Sequence, residues 1–199
     1  MKHIFEQGMS DETIILLHGT GGDETDLLLV GEFIDPAANL LGIKGNILEN
    51  GIPRFFRRIS MGVFDEESLI EETHNLKNFI DEAIEKYEIN RDKITILGYS
   101  NGANILASLL FFYPDFVKKA ILLHAMVPIR HIEIKHHQET KIFLSSGKED
   151  PLVLASEVLE LKKMFEERNI TCEHYETAFG HALTEIELRY AKRWYDKIK

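Results

Sequence analysis

Cysteine, long apolar runs and basic residues are all scarce in this chain. Cys172 is its single cysteine, so no internal disulfide can form, and this cysteine usage is typical of a reducing compartment. No segment approaches the ~20 apolar residues that a membrane span requires, and the N-terminus has no apolar signal-peptide core. We therefore expect a cytoplasmic protein without a membrane span.

Acidic residues outnumber basic residues by 33 to 23, which gives a formal net charge of −10. A surface of this sign repels phosphate backbones, so nucleic acid is not an expected partner. Internal repeats, Gly/Ser linkers and low-complexity tracts are missing, while 44% of the residues are hydrophobic and 28% are charged. These proportions and the length of 199 residues predict a globular chain with a single domain over residues 1–199.

Short apolar runs alternate with amphipathic helical patterns along most of the chain, which is typical of βαβ units and a mainly parallel sheet. The predicted strands, beginning with a candidate edge strand, are 3–6, 13–17, 39–44, 94–97, 120–124, 141–145 and 171–176. The sequence therefore predicts an α/β fold with about seven strands and with helices on both faces of the sheet.

The helical segment 103–112 differs from the others because it has almost no polar face. We expect it to be central and nearly enclosed, and to end before Pro114. Two longer stretches without periodicity, 45–66 and 125–140, are expected to line a site.

Ser100 lies between two glycines, directly after an apolar run and before the enclosed helix. The G-x-S-x-G nucleophile elbow requires this order of strand, sharp turn and helix, in which a strained turn presents the serine hydroxyl. Gly98 and Gly102 carry no Cβ atom that would keep the strand and the helix apart. The alternative is an ordinary turn whose serine caps the following helix.

A nucleophilic serine needs a base that takes its proton and an acid that orients the base. In chains with this elbow the order is serine, acid, histidine. Glu149 and Asp150 both follow an apolar run; we select Asp150, although an Asp before a proline is also a good helix N-cap. His181 follows the last predicted strand and is the candidate base, whereas His174 falls inside that strand.

Acyl transfer also needs N–H donors aimed at the developing oxyanion. The glycine-rich segment 18–22 follows the first central strand, where this architecture draws one donor, and the other comes from the residue after the nucleophile. Thr20 and Asn101 are the candidate donors. A phosphate-binding loop and a flexible turn are alternatives, but the spacing differs from that of a nucleotide P-loop and no lysine follows.

With these motifs the chain resembles the α/β-hydrolase superfamily, in particular its small carboxylesterase/phospholipase branch, which includes the MhqD-type hydrolases. The matching stretches are 17–24, 49–58, 98–104, 150–151 and 180–181. The resemblance implies Ser100 as nucleophile, His181 as base and Asp150 as orienting acid, with backbone donors near Thr20 and Asn101. It also implies an open site, because no cap domain is inserted.

The segment 53–58 places two aromatic rings and three cations beside the expected site. In one interpretation Arg54, Phe55 and Phe56 line a substrate pocket, with Met126 on the opposite wall and one of the cations, Arg54, Arg57 or Arg58, meeting a substrate anion. In the other, the rings belong to the core and the arginines pair with surface acids. The sequence leaves both open.

Histidines and an acid cluster at His131, Glu133, His136 and His137. Adjacent histidines in a loop do not have the spacing of a tetrahedral metal site, so we expect a solvated loop and no metal. Cys172 is expected to be a small core residue.

The sequence thus predicts a serine hydrolase that cleaves small carboxylic esters through an acyl-enzyme on Ser100, without a cofactor. Acyl thioesterase or lysophospholipase activity with the same triad is one alternative. A ligand-binding or stress-sensing protein of low turnover on the same scaffold is another. The expected partner is a small ester, and a homodimer is compatible with the sequence.

Overall fold

A seven-stranded sheet forms the centre of the molecule in the computed structural model, which describes residues 1–60 and 62–199. In chain order the elements are β1 (His3–Glu6), β2 (Thr13–Leu17), α1 (Leu28–Ile34), β3 (Asn39–Ile43), β4 (Ile47–Glu49), β5 (Ile52–Arg54), β6 (Arg58–Ser60), β7 (Val63–Phe64), α2 (Glu66–Lys86), β8 (Ile94–Tyr99), α3 (Asn101–Phe112), β9 (Lys119–Leu123), β10 (Lys141–Gly147), α4 (Ala155–Glu166), β11 (Thr171–Thr177) and α5 (Glu185–Ile198).

The strands of the sheet follow the order β1-β3-β2-β8-β9-β10-β11. Strand β1 pairs with β3 in the antiparallel direction at one edge, and all other pairs are parallel. The predicted mainly parallel sheet with an N-terminal edge strand is confirmed. The carboxyl ends of β2, β8, β9 and β10 therefore meet at one edge, where open α/β sheets bind their ligands.

Helices cover both faces of the sheet, and the side chains of the central strands divide between two apolar clusters. In β2, Ile15 and Leu17 belong to the cluster that includes residues of α2, α3 and α4. Their neighbours Ile14 and Leu16 belong to the cluster that includes residues of α1 and α5. Because successive side chains of a strand point to opposite faces, a strand buried on both faces is apolar without alternation.

Helix α3 is central, as predicted: eleven of its twelve residues are buried. It can approach the sheet closely because of two glycines. A Cβ atom on Gly98 would lie 2.5 Å from the carbonyl oxygen of Gly102, and one on Gly102 would overlap the backbone of Leu17. The expectation that these glycines permit close packing of strand and helix is confirmed, and any larger residue would push α3 away.

The stretch 45–66 contains more regular structure than its lack of periodicity predicts. Strands β4 and β5 form one two-stranded hairpin, and β6 and β7 form another. Each strand has only two or three residues, which is too short for a period-two pattern to be recognised. Met61 lies outside the described residues.

The loop 125–140 is not solvated throughout, which corrects one expectation. His131, Glu133 and His136 are exposed, but the His137 side chain is buried. Its Nδ1 lies 2.9 Å from Oγ1 of Thr140, and its Nε2 lies 3.0 Å from the carbonyl oxygen of Leu110. Burial lowers the pKa of His137, so a neutral imidazole fastens this loop to the core.

Within the described residues, no helix is both long and apolar enough to cross a bilayer. Cys172 packs against the first apolar cluster, and burial raises the pKa of its thiol to about 12. A thiol in this setting stays protonated and behaves as a small apolar side chain, as the sequence predicts.

Candidate active site

Ser100 occupies a strained turn between β8 and α3. Its backbone angles are φ 51° and ψ −111°, a region that non-glycine residues rarely adopt. Strain of this kind costs on the order of 1–3 kcal/mol and is typical of functional positions. Its N–H donates to the carbonyl oxygen of Leu123 at 2.8 Å, whereas its side chain makes no capping bond to the helix. The interpretation of Ser100 as a simple helix cap is therefore wrong.

A continuous chain of hydrogen bonds links Ser100, His181 and Asp150. The Ser100 Oγ lies 2.9 Å from Nε2 of His181, and Nδ1 of the same ring lies 2.7 Å from Oδ2 of Asp150. This pairing corresponds to an Nδ1–H donor and an Nε2 acceptor. The imidazole is thus oriented to accept the serine proton.

Asp150 uses its two carboxylate oxygens for different purposes. Oδ1 accepts hydrogen bonds from the backbone N–H groups of Leu152 and Val153, at 2.8 and 3.0 Å, while Oδ2 faces the imidazole. Burial opposes ionisation, but the bonds from His181 and the backbone outweigh it and lower the pKa of Asp150. Asp150 therefore caps the turn that follows it and orients His181, but the N-cap of α4 is Leu154, so the alternative of Asp150 as a helix N-cap is wrong.

An open cavity of about 650 Å³ lies beside Ser100 and His181, and Thr20 and Asn101 contribute to its wall. Among the described residues, neither the Thr20 nor the Asn101 backbone N–H donates to another protein group. An oxyanion site requires N–H donors that lie beside the nucleophile and have no protein acceptor. The Thr20 and Asn101 N–H groups meet this requirement.

The loop that carries Thr20 is fixed by a buried histidine that the sequence analysis did not single out. His18 donates from Nδ1 to the Gly19 carbonyl oxygen at 2.6 Å and accepts at Nε2 from the Gly45 N–H at 3.1 Å. Burial lowers the pKa of His18, consistent with this neutral tautomer. The ring packs against Phe55 in a tilted arrangement, with 4.8 Å between the ring centroids.

The predicted pocket residues separate into two groups. Arg54 and Met126 line the cavity. Phe55 and Phe56 are both 0% exposed and belong to the first apolar cluster, so the prediction that their rings line the pocket is wrong. The physical reason is that Phe55 packs against His18 and Phe56 packs against Phe64 within the apolar core. The Phe55 N–H donates to Oδ1 of Asn101 at 2.7 Å, which ties this segment to the serine turn.

Behind Asp150 lies a buried group that the sequence analysis missed. Nδ1 of His124 lies 2.8 Å from Asp150 Oδ2, the same oxygen that His181 uses. Nε2 of His124 lies 3.2 Å from Oε1 of Glu187, as an ion pair rather than an aligned hydrogen bond. Ser145 donates its hydroxyl to the same Glu187 oxygen. The sequence assigned His124 to the end of a strand, but the strand ends at Leu123 and His124 has φ 56°.

One sequence signal could have pointed to this group. His124 directly follows a strand whose carboxyl end lies beside that of the Ser100 strand. Thr184 and Glu187 form a capping box at the start of α5, a pattern that the sequence displays. The capping box explains Glu187 locally, so nothing marks it as a partner of a distant histidine.

The described residues contain one set of side chains close enough to ligate a metal ion, namely His124, Asp150 and His181. In this structure both imidazoles direct Nδ1 to the carboxylate at ordinary hydrogen-bond distances of 2.8 and 2.7 Å. The set is therefore explained by its internal hydrogen bonds.

Residues 56–198 match the family described as phospholipase/carboxylesterase. MhqD of Bacillus subtilis (strain 168), whose name describes it as a hydrolase, is 52% identical over 195 residues, which cover 98% of each chain. Similarity of this extent spans every segment of the site described above.

Solved structures give the same result for the fold. The crystal structure of the Bacillus cereus carboxylesterase has a TM-score of 0.98 and 45% identity, over 100% of this chain and 95% of that chain. YahD, solved with malic acid, has a TM-score of 0.93 and 32% identity, over 100% of this chain and 99% of that chain. The predicted fold class is confirmed.

Proposed function

Because the chain belongs to the phospholipase/carboxylesterase family of α/β-hydrolases, we propose that it hydrolyses small carboxylic esters through an acyl-enzyme on Ser100. The observation that carries the proposal is the hydrogen-bonded series Ser100–His181–Asp150 at the wall of an open cavity. The strained serine turn supports it, since the strain directs the hydroxyl towards the cavity rather than towards the helix.

In the first half of the reaction, Ser100 Oγ attacks the ester carbonyl carbon while its proton moves to Nε2 of His181. The resulting imidazolium is stabilised by Asp150, which remains ionised and holds the ring in place. The negative charge on the former carbonyl oxygen is held by the backbone N–H groups of Thr20 and Asn101. His181 then returns the proton to the leaving alcohol, and the acyl group stays on Ser100.

In the second half, a water molecule takes the place of the alcohol. His181 accepts a proton from the water as it attacks the acyl carbon, and the same two N–H groups hold the second oxyanion. Collapse of this intermediate returns the proton from His181 to Ser100 Oγ and releases the carboxylic acid. Each donor contributes a few kcal/mol, since removal of one oxyanion donor typically costs roughly 3 kcal/mol in the barrier.

The proposal is tested with p-nitrophenyl acetate and p-nitrophenyl butyrate as substrates. We expect Ser100→Ala to lower kcat by at least about 10⁴-fold, because it removes the nucleophile. Ser156→Ala, which changes an exposed serine of α4, is the matched control and should retain full activity. Equal rates for the wild type and Ser100→Ala would reject a serine mechanism.

Two further functions share this geometry and are separated by additional measurements. A thioesterase would cleave acyl thioesters faster than oxygen esters of the same acyl group, which a paired assay with graded chain lengths measures. A ligand-binding protein of low turnover would leave Ser100 unlabelled by a fluorophosphonate probe although the protein is folded. Labelling that disappears in Ser100→Ala supports the enzyme.

A further inference from the structure

One wall of the cavity beside Ser100 contains a guanidinium group that is nearly enclosed by protein. The side chain of Arg54 is 5% exposed, yet the residue lines the cavity. Its Nε donates to the Phe56 carbonyl oxygen at 3.2 Å, and its Nη1 donates to Thr20 Oγ1 at 3.0 Å. Among the described residues its Nη2 makes no hydrogen bond, so part of its donor capacity remains for a ligand.

A second cation lines the same wall, and the two share a single carboxylate. Arg58 donates from Nε to Oε2 of Glu49 at 2.8 Å, whereas Arg54 Nη1 is 4.0 Å from that oxygen. Two guanidinium groups thus face one Glu49 within the described residues. Burial and the charge of Arg58 both lower the pKa of Arg54, the expected result when a buried cation is incompletely compensated.

The acid on the cavity's other side does not compensate this charge. Glu157 lines the cavity, but it pairs with Arg130 and also accepts from the Val127 N–H at 3.4 Å. The remainder of that side is apolar, with Met126, Val153 and Leu154 in the wall. The cavity therefore has a cationic side at the hairpins and an apolar side at the start of α4.

The net charge of the whole chain is opposite in sign to the charge of these two arginines. At −10 the protein gives an anion no long-range attraction, so an anionic group would be recognised only by contact with these two side chains. A guanidinium fork matches a carboxylate in geometry and makes strong, charge-assisted hydrogen bonds. The Arg54 guanidinium donates to the side chain of Thr20, the residue whose backbone N–H would hold the oxyanion.

We propose that Arg54 and Arg58 form a subsite for a substrate carboxylate, so that the esters cleaved at Ser100 carry a second, ionised carboxyl group near the scissile carbonyl. The substrate class is the half-ester of a short dicarboxylic acid. This inference rests on the proposed function, because the subsite is defined by its position relative to Ser100 and Thr20.

The experiment compares two esters of the same shape, monomethyl succinate and methyl 4-methylpentanoate, in a pH-stat at neutral pH. They differ in that a carboxylate of the first replaces an isopropyl group of the second. The variants are Arg54→Gln, Arg58→Gln and the matched control Arg57→Gln. Arg57 lies in the same segment and carries the same charge, but it is exposed and does not line the cavity.

The measured quantity is the ratio of kcat/KM for the two esters. We expect the wild type and Arg57→Gln to favour monomethyl succinate by at least about tenfold, and Arg54→Gln and Arg58→Gln to lower that ratio roughly tenfold to a hundredfold. If Arg54→Gln fails to fold, the ratio for Arg58→Gln decides. A wild type that prefers the neutral ester, or an Arg58→Gln ratio equal to that of the wild type, would overturn the subsite.

Succinate binding to Ser100→Ala, measured by calorimetry, separates the subsite from the hydrolytic function. Binding that weakens in the double variant Ser100→Ala/Arg58→Gln supports the subsite even if the wild type hydrolyses neither ester, in which case the proposed function alone fails. Hydrolysis of the neutral ester without succinate binding rejects the subsite and leaves the hydrolase intact.

Discussion

Asp150 lies between a region that faces the cavity and a region that is fully buried. A histidine from each region contacts the same carboxylate oxygen. On the cavity side, His181 is 17% exposed and faces Ser100. On the buried side, His124 and Glu187 are both 0% exposed. Both histidines approach Oδ2 of Asp150 through Nδ1, at nearly equal distances of 2.7 and 2.8 Å. Geometry alone therefore does not distinguish them, but access to the cavity does.

The difference shows how one carboxylate can serve both catalysis and folding. Burial disfavours a charged imidazole, but Glu187 and Asp150 outweigh that penalty and raise the pKa of His124. The raised pKa favours the protonated form of His124, which compensates the buried carboxylates, whereas His181 must gain and lose a proton in each turnover. We expect variants on the cavity side to affect activity first and variants on the buried side to affect stability first.

The largest effect is expected from Asp150→Asn, because this variant changes both regions. Loss of the charge that orients His181 should lower kcat by about 10⁴-fold. Loss of one partner of the buried His124 should lower the free energy of unfolding by about 3 kcal/mol. The measurements are p-nitrophenyl acetate hydrolysis and urea unfolding. Asp92→Asn, at a side chain that is 77% exposed, is the control and should change neither.

The next prediction concerns the separate substitution of each of the two histidines. His181→Asn should lower kcat by about 10⁴-fold and the free energy of unfolding by less than about 1 kcal/mol. His124→Asn should do the reverse: it leaves Asp150 and Glu187 without their shared cation and should cost about 3–5 kcal/mol, with kcat reduced less than about tenfold. Similar activity losses in the two variants would contradict the division into two regions.

Much of the sheet could be predicted because its signals are local. Residues 14–17 of β2 and 142–144 of β10 are contiguous apolar runs, and the almost fully apolar segment 103–112 identifies the central helix. The hairpins β4–β5 and β6–β7 could not be predicted, since strands of two or three residues are determined by the loop that they close. Whether the Phe55 and Phe56 rings are buried depends on which elements cover them, and the periodicity of the sequence does not encode this.

The residues of the site likewise divide into those that the sequence predicts and those that it does not. The order of motifs selects Ser100, Asp150 and His181 from the sequence, and the structure brings these three side chains together. His124 and Glu187 were missed because β10, α4 and β11 separate them along the chain. Their relation depends on the packing of α5 against the sheet, a tertiary contact without a sequence signature.

A smaller effect concerns the pH dependence of stability. Because the pKa of His124 is raised in the folded state, its contribution is fully present below the unfolded value of about 6.5 and is lost as the pH rises through the folded value. The stability difference between the wild type and His124→Asn should therefore shrink above about pH 6.5. It is measured by urea unfolding between about pH 5 and 9, within the range where histidines titrate.

His137 is the control, because the pH dependence expected for its contribution to stability has the opposite sign to that of His124. Its pKa is lowered by burial, so its neutral form is favoured in the folded state and stability is lost as the pH falls below the unfolded value. The difference between the wild type and His137→Asn should consequently grow as the pH rises. Parallel pH profiles for the two variants would contradict the charge assigned to the buried side.

The smallest expected effect compares two adjacent serines of β10. Ser145 donates to the buried carboxylate of Glu187, whereas the Ser146 hydroxyl lies 2.8 Å from Nε2 of His174, an imidazole whose pKa burial lowers. Hydrogen bonds to charged groups are stronger than those between neutral groups, and an anion left short of a donor is costly to bury. Ser145→Ala should therefore lower the free energy of unfolding by about 2 kcal/mol and Ser146→Ala by about 1 kcal/mol. Both serines are almost fully buried, so the packing losses in the two variants should be similar. An equal or larger loss in Ser146→Ala would contradict the stronger hydrogen bond expected for Ser145.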